Sequence, residues 1–453
     1  MQKNLTSGQW MNKMNEALKM NSRILSLTVA MVLALSTFAA NIETDRTWYL
    51  AGEAMTVSVT AERQRVGASA GIDALIAYAE LCDTRGLSAG VVVSLKAGEG
   101  TGVIELPSDL HSGYYVLSVY TRDNAKVSQR LVAVVNPLRK SKDDDIEWVR
   151  ITHPDSLSYP EKDHSSAFNL SPFTISVDVR ETEGHIVRAR IRNIYEGETF
   201  EGSKIRPSLS IVGKQIHFFE GKMVNDSTAV FYTFGIHGKQ PLVLSAMTST
   251  GVSLPVEMIS PFATLLPKQL PHLVFHYQRS EVEARSLAMQ RHQKAIAPAK
   301  RELKIGDLSD DTAEEVVPLS YDETVFGTKP DLTYNLDEYR QFLTIREVLL
   351  EYVSCVKYTK IDGLPRLIVR GEQDVYNSSL PTMVLIDGMP VNDVDRLLNY
   401  DARRIHYINI YASQFKVGYG VYNGILSFVT RSGRLTNYPI ERNMQYLVYE
   451  FPK

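Results

Sequence analysis

The sequence predicts a mainly β protein with an α+β C-terminal part, in which tandem β-sandwich domains precede a small α/β domain. Three observations lead there. From Asn41 to about residue 263, residues rich in Val, Ile, Tyr and Thr come in short alternating runs, separated by turn formers at spacings near ten residues, which is how sandwich strands read. After residue 335 the pattern changes to short helices mixed with strands. At 453 residues the chain also exceeds what one hydrophobic core usually holds, given about 150 residues per domain.

Composition limits the function classes. A net charge of −3, from 49 basic and 52 acidic side chains, makes no large field of one sign and argues against non-specific nucleic-acid binding. The hydrophobic fraction of 44% favours a globular chain over a disordered one.

Residues 1–40 read as a leader with a polar upstream segment. Within it, MNSRILSLTVAMVLALSTFAA places one Arg, an apolar run from Ile24 to Leu35, and small residues ending at Ala39 and Ala40. This is the arrangement of a secretory signal peptide, and the run is short beside the 18 or so apolar residues of a membrane span, the feature that would mark an uncleaved anchor. Met11 and Met14 precede it, so the start codon can lie downstream of Met1. No Cys stands near the cleavage position, so a lipoprotein is not expected. Cys82 and Cys355 are the two cysteines. They fall in separate predicted domains and are expected as free, buried residues rather than a disulfide, although export would permit one.

The first sandwich is expected over 41–137, from AMTVSVTAE, ALIAYAELCD, GVVVSLKAG, TGVIELP, GYYVLSVYTR and QRLVAVVN. Residues 138–172 are charged and rich in turn formers, the mark of a linker. Its Asp143-Asp144-Asp145 run lacks the alternating ligand spacing of a calcium loop and is expected as a solvated charge run. A second sandwich follows over 173–263, in TISVDVRE, HIVRARIRN, SLSIVGK, IHFFEGK, AVFYTFGI and LVLSAMT. Residues 264–334 form a connector with one helix, EVEARSLAMQRHQKAI, which Pro298 ends. His272 and His276 lie four apart, but in the strand-like run HLVFHY, and with His292 they do not make a helical metal motif.

From 335 to 440 the α/β domain begins with Thr344 and Glu347, spaced as a capping box ahead of TIREVLLEYV. LPRLIVRG then predicts a strand, VLIDGMPV a hairpin turning at Asp387-Gly388, DVDRLLNYDARR a helix and turn with Asp393 as cap, IHYINIY a strand, and GVYNGILSFVTRSG a final strand pair. Residues 441–453 remain as a tail.

Two stretches resemble known families. DRTWYLAGEAMTV matches, at Asp45, Arg46, Tyr49, Gly52 and Glu53, the opening strand of macroglobulin MG2 domains, and TGVIELPSDLHSGYYVLSVYTR resembles later strands of that domain in exported proteins of the Bacteroidetes type. This implies a macroglobulin-like or immunoglobulin-like sandwich. The ordered series of helix, Leu367-x-Val369-Arg370-Gly371, the hairpin with Asp387, Gly388 and Pro390, Ile405-x-x-Ile408-x-Ile410, and Gly420 with Asn423-Gly424-Ile425 is similar to the plug domain of TonB-dependent outer-membrane receptors. The plug resemblance implies a periplasmic or outer-membrane protein-protein contact, with a TonB-dependent barrel or its energising machinery as partner. Only about twenty residues follow Gly433, against the several hundred that a barrel of about 22 strands needs, so a pore of its own is not expected. HYIN at His406 to Asn409 and the KVGYGVYNG loop depart from that family's pattern.

The expected function is a non-enzymatic envelope binding or assembly module, with Asp387, Gly388, Pro390, Arg370, Gly371, Gly420 and Gly424 as its structural or interaction motif, and with no catalytic, cofactor-binding or metal residue. Two alternatives are weaker. A macroglobulin-like protease trap would need Cys-Gly-Glu-Gln, and Arg370 stands where the thiol would be in Arg370-Gly371-Glu372-Gln373, leaving the chemistry without a nucleophile. A hydrolase finds no G-x-S-x-G elbow, H-E-x-x-H or phosphate loop, and Asp393 with Asp395 is better read as a cap. Sequencing the N-terminus of the exported protein should give a start near Asn41; recovery of an intact Met20 would show an uncleaved anchor.

Overall fold

The computed structural model describes residues 41–61, 76–122, 126–151, 181, 184–192, 205–213, 216–296, 323–361, 363–370, 380–417, 420–433, 435, 438 and 441–452. The leader, TISVDVRE except its final Glu181, Pro298, Gly371 and Glu372-Gln373 lie outside them. The described chain is mostly strand, in two sandwiches, a two-stranded sheet laid on the first of them, and an α/β unit with a five-stranded and a two-stranded sheet.

The first unit is built from β1 (Asn41–Thr44), β2 (Trp48–Leu50), β3 (Ala54–Thr60), β4 (Ile76–Cys82), β5 (Leu87–Ser94), β6 (Glu99–Glu105), β7 (Gly113–Tyr120) and β8 (Val127–Val135). One sheet runs β1-β3-β6 and the other β2-β8-β7-β4-β5. Every residue of β7 is buried, so this strand breaks the alternation expected of a sheet with one wet face. Tyr115, Leu117 and Val119 face the three-stranded sheet, while Tyr114 and Val116 enter a separate cluster on the other side.

A third layer explains that second cluster, and it comes from the two stretches expected to connect domains. β9 (Ile146–Arg150) lies in the predicted linker. The second sandwich then intervenes, with β10 (His185–Ile191), β11 (Ile205–Ile211), β12 (His217–Glu220), β13 (Lys222–Met223), β14 (Thr228–Thr233), β15 (Gly238–Thr248) and β16 (Val256–Ile259). β17 (Leu273–Tyr277) pairs with β9 in parallel, and helix Arg279–Ile296 follows directly. Leu273, Phe275 and Val282 pack on Trp48, Leu50 and Val116. Arg285 lies 3.6 Å from the Trp48 ring centroid and donates to Glu53 at 2.6 Å. The resemblance motif is thereby accounted for structurally. Tyr49 donates to Asp45 at 2.6 Å, Gly52 takes φ 93° at the turn, and Glu53 accepts from Leu50 N at 2.8 Å while anchoring the helix.

The aspartate run is solvent-exposed at Asp143 and Asp145, as expected, and is also held by specific partners. Asp143 pairs with Arg85 at 2.5 Å, Asp144 accepts from Ser112 N at 2.7 Å, and Asp145 meets His272 at 2.5 Å. Apposing segments supply the donors, which no local spacing could reveal. Cys82 and Cys355 are both free; Cys82 is buried, but Cys355 is only half-buried.

The C-terminal α/β unit contains β18 (Leu332–Asn335), β19 (Val356–Ile361), β20 (Leu364–Val369), β21 (Met383–Ile386), β22 (Met389–Pro390), β23 (Ile405–Val417) and β24 (Gly420–Thr430), with short helices Ile345–Glu351 and Val394–Leu398. Both halves of the Thr344–Glu347 capping box form, and Asp393 caps the second helix by accepting from Arg396 N at 3.0 Å. The expected strand pair in 420–433 is instead one strand, antiparallel to β23 across an irregularity between Tyr411 and Gln414. Gly424, at φ 83°, accommodates that shift.

The largest departure is at the end of the chain. Residues expected as a tail form β25 (Gln445–Phe451), which pairs with β15 from Gly238↔Phe451 to Leu244↔Gln445. The second sandwich therefore consists of β13-β14-β10-β16 against β12-β11-β15-β25, and the α/β unit is inserted between its strands. Tyr449 and Phe451 sit in its core with Phe231 and Leu244. Phe451→Ala should cost about 3–5 kcal/mol in urea unfolding, as buried aromatic truncation does; a loss under about 1 kcal/mol would show that β25 is dispensable to the sandwich.

Candidate functional site

The hairpin at Asp387-Gly388 sits where the α/β unit meets the second sandwich. Ile386 pairs with Met389 around a two-residue turn, and both turn residues have positive φ, 45° and 80°. That is the type I′ geometry whose twist suits a hairpin and which Asp-Gly favours. The Asp387 carboxylate is fully enclosed. It accepts from Thr430 N at 2.7 Å, Thr430 Oγ1 at 2.5 Å and Leu435 N at 2.7 Å, so its donors tie the turn to the end of β24 and the loop beyond. A Cβ on Gly388 would stand 2.9 Å from the Ile216 side chain, which is how closely the turn approaches the sandwich.

The other predicted motif residues divide between this seam and the surface. Pro390 pairs with Leu385 in the hairpin. A Cβ on Gly424 would stand 3.0 Å from the Tyr411 carbonyl and from Val369, so it is a packing position. Gly420 lies under the Glu220 carboxylate, which accepts from Tyr422 Oη at 2.5 Å. Arg370 is exposed and its backbone N donates to the Cys355 carbonyl at 2.7 Å, so it is separated in role from the hairpin. Gly371 lies outside the described residues.

Sequence reasoning missed the residues that complete the seam from the sandwich side and from the returning chain. Asn392 Nδ2 donates to Ser245 Oγ at 2.9 Å and Ser253 Oγ at 3.2 Å, while its backbone N donates to both Glu441 oxygens at 3.1 Å. Asn443 Nδ2 donates to the Ser253 carbonyl at 2.8 Å. Arg206 lies 5.4 Å from the Tyr422 ring centroid, and Arg366 donates to the Thr250 carbonyl. Burial raises the pKa of Glu220, against the opposing pull of Tyr422 and Arg206. Burial likewise pushes Glu441 up to about 7. These residues come from segments far apart in the chain, so no spacing announces them.

Two further polar clusters lie elsewhere. At the joint of the two sandwiches, Glu181 accepts from Tyr78 Oη at 2.6 Å and Ile186 N at 2.8 Å, beside Arg122 at 3.7 Å, and His185 Nε2 meets Tyr449 Oη at 2.6 Å. Burial opposes ionisation of Glu181, but His185, Arg122 and Tyr78 outweigh it and hold its pKa below the usual range. On the first sandwich, an open cleft of about 400 Å³ is lined by Asp83, Arg85, His111, Asp143, Asp145 and Lys268 among others. Arg85 spends its guanidinium on Asp83 at 2.8 Å, Asp143 at 2.5 Å and His111 Nδ1 at 2.6 Å. That leaves a closed internal network in which each guanidinium nitrogen already meets a protein acceptor.

No family model matches the chain, and no curated protein matches its sequence. Among solved structures, a biofilm-associated protein BSP domain is 10% identical over 51% of this chain and 30% of its own, with TM-score 0.16. The native E. coli alpha-2-macroglobulin is 12% identical over 49% of this chain and 14% of its own, with TM-score 0.17. A Salmonella alpha-2-macroglobulin variant is 11% identical over the same 49% and 14%, also at 0.17. The chain thus spans less than a third of the length of each of these proteins, and at such TM-scores the likeness carries no argument about activity.

Asp387→Ala should destabilise the protein by about 2–4 kcal/mol, because three buried donors lose their acceptor. Asp387→Asn should cost clearly less, since Asn keeps an acceptor and tolerates positive φ. Equal losses for the two in urea unfolding would contradict this account of the turn.

Proposed function

We propose that the protein is a non-enzymatic binding module of the cell envelope, acting through protein-protein contacts made by its inserted α/β unit. The observation that carries this reading is the outer rim of that unit. β18 ends the five-stranded sheet, paired on one side with β23, and a strand edge offers backbone hydrogen bonds to a partner. Tyr334, Tyr339, Phe342 and Tyr352 form a row of ring contacts from this edge to helix Ile345–Glu351, with 4.5 Å between the Tyr339 and Tyr352 centroids. Leu343, just ahead of that helix, is 64% exposed, and Leu350 within it is 77% exposed.

The partner class rests on the sequence resemblances. A leader implies export, and a plug-like series implies an outer-membrane protein, a TonB-dependent barrel or its energising machinery, as what the rim meets. The macroglobulin-like strands then serve as the frame that presents it. What supports treating Asp387 and its neighbours as frame rather than chemistry is that the Asp387 carboxylate is enclosed and directed at Thr430 and Leu435.

In-cell crosslinking of the full-length protein, followed by detergent extraction and mass spectrometry, tests the reading. An outer-membrane protein linked through residues 332–350 or 384–425 is the expected result, and Leu350→Asp should lower its recovery by about tenfold or more, as loss of an interface anchor worth about 2 kcal/mol does. Self-links alone, or recovery indifferent to Leu350→Asp at unchanged melting temperature, would overturn it.

A further inference from the structure

The seam between the α/β unit and the second sandwich is polar at its centre, and its two carboxylates are buried. Glu441 lies on the segment that leaves the α/β unit and leads into β25, only 5% exposed. Its oxygens are met by the backbone N–H of Asn392 at 3.1 Å, just ahead of the helix that Asp393 caps. The side chain of the same Asn392 grips Ser245 and Ser253 on the sandwich. One residue therefore couples the carboxylate to the docking contact, and the following residues, Asn443 and Gln445, bond to the Ser253 carbonyl at 2.8 Å and Met258 N at 2.6 Å. A charge at Glu441 is placed where both sides of the seam and the start of β25 would feel it.

We infer that this seam is a pH-sensitive latch, closed while Glu441 carries its proton and loosened when the carboxylate ionises. Burial favours the neutral form and outweighs the backbone N–H groups of Asn392 and Asp393, which favour the ionised one. The sandwich presents hydroxyls, Ser245 and Ser253, rather than a cation, at the Asn392 contact. From the helix side Asp393 repels the ionised form while Arg396 attracts it, and Tyr438, from the loop after β24, is a further titratable neighbour. Glu220, the second seam carboxylate, meets Tyr422 and Arg206, and burial shifts it in the same direction.

The sign follows from linkage. An acid with a higher pKa in the closed state binds its proton more tightly there, so it stabilises that state fully below its ordinary value and progressively less as pH rises through the closed-state value. With 4.5 for the open seam and about 7 for the closed one, the opening equilibrium rises about tenfold between pH 6 and pH 8 from Glu441 alone.

Hydrogen exchange on the full chain, expressed as protection factors corrected for the intrinsic pH dependence of exchange, tests this in peptides covering 389–398 and 441–451. Protection should fall about tenfold from pH 6 to pH 8 in the wild type, and by less than about twofold in Glu441→Gln, which keeps the neutral form at every pH. A flat wild type, or an undiminished fall in Glu441→Gln, would overturn the latch. Should the Gln variant fail to fold, Arg396→Gln removes the attractive charge from a half-exposed position, and the midpoint of the fall should move to higher pH. An unmoved midpoint there would also overturn the inference.

Discussion

The pairing of β25 with β15 is the contact on which the rest of the arrangement depends. Seven residues of the returning chain lie in register along Gly238–Leu244, and their inward side chains, Leu447, Tyr449 and Phe451, fill one end of the second sandwich core. Because the strand that completes this sheet comes after the α/β unit, both ends of that unit are fastened to the sandwich. An insertion held at two ends loses less entropy on docking than a domain tethered at one, since the connecting loops are already closed. Its own core shows the consequence: Val212 and Val243 of the sandwich belong to the same apolar cluster as Ile386, Leu426 and Phe428.

Around that frame, buried carboxylates act as fasteners between segments distant in the chain. Glu80 accepts from Thr264 N at 3.1 Å and Leu265 N at 2.5 Å, holding the chain that leaves the second sandwich against the first. Glu181 brings together Tyr78, Arg122 and the start of β10, and His185 extends that link to Tyr449 on β25. Glu53 receives Arg285 and fixes the helix that covers the first sandwich. Each of these groups is costly to bury alone, and each is met by two or more donors, which is the condition under which a buried charge is tolerated. The same rule explains why Cys82, with burial and the nearby Glu80 and Asp83 pushing its thiol up to about 12, is an inert core residue rather than a nucleophile.

Asp387 illustrates how much of a motif's meaning is local. The Asp-Gly pair specifies a turn with positive φ at two successive positions, and nothing outside the dipeptide is needed to read it. That the carboxylate then serves Thr430 and Leu435 required the fold to bring β24 alongside, and the spacing of residues 43 and 48 positions downstream carries no periodic signal. The capping box at Thr344 and the Asp393 cap were legible for the same local reason. Glu441, Asn392, Ser245 and Ser253 were not, because each has an ordinary neighbourhood in the sequence and acquires its role only from the others.

By itself, the amino-acid sequence determined what short-range chemistry controls: most of the sandwich strands among the described residues, the helix following HLVFHY, the hairpin at Asp387-Gly388, and the caps. These depend on dihedral preference, periodicity and neighbours within about one turn or one strand. Only the tertiary structure decided that the predicted linker and connector supply a third layer through β9 and β17, that 420–430 is one strand rather than a pair, and that the apparent tail is the closing strand of the second sandwich. Strand pairing between β15 and β25 joins residues about two hundred positions apart, and a strand's sequence records which of its faces is apolar but not which edge it will meet.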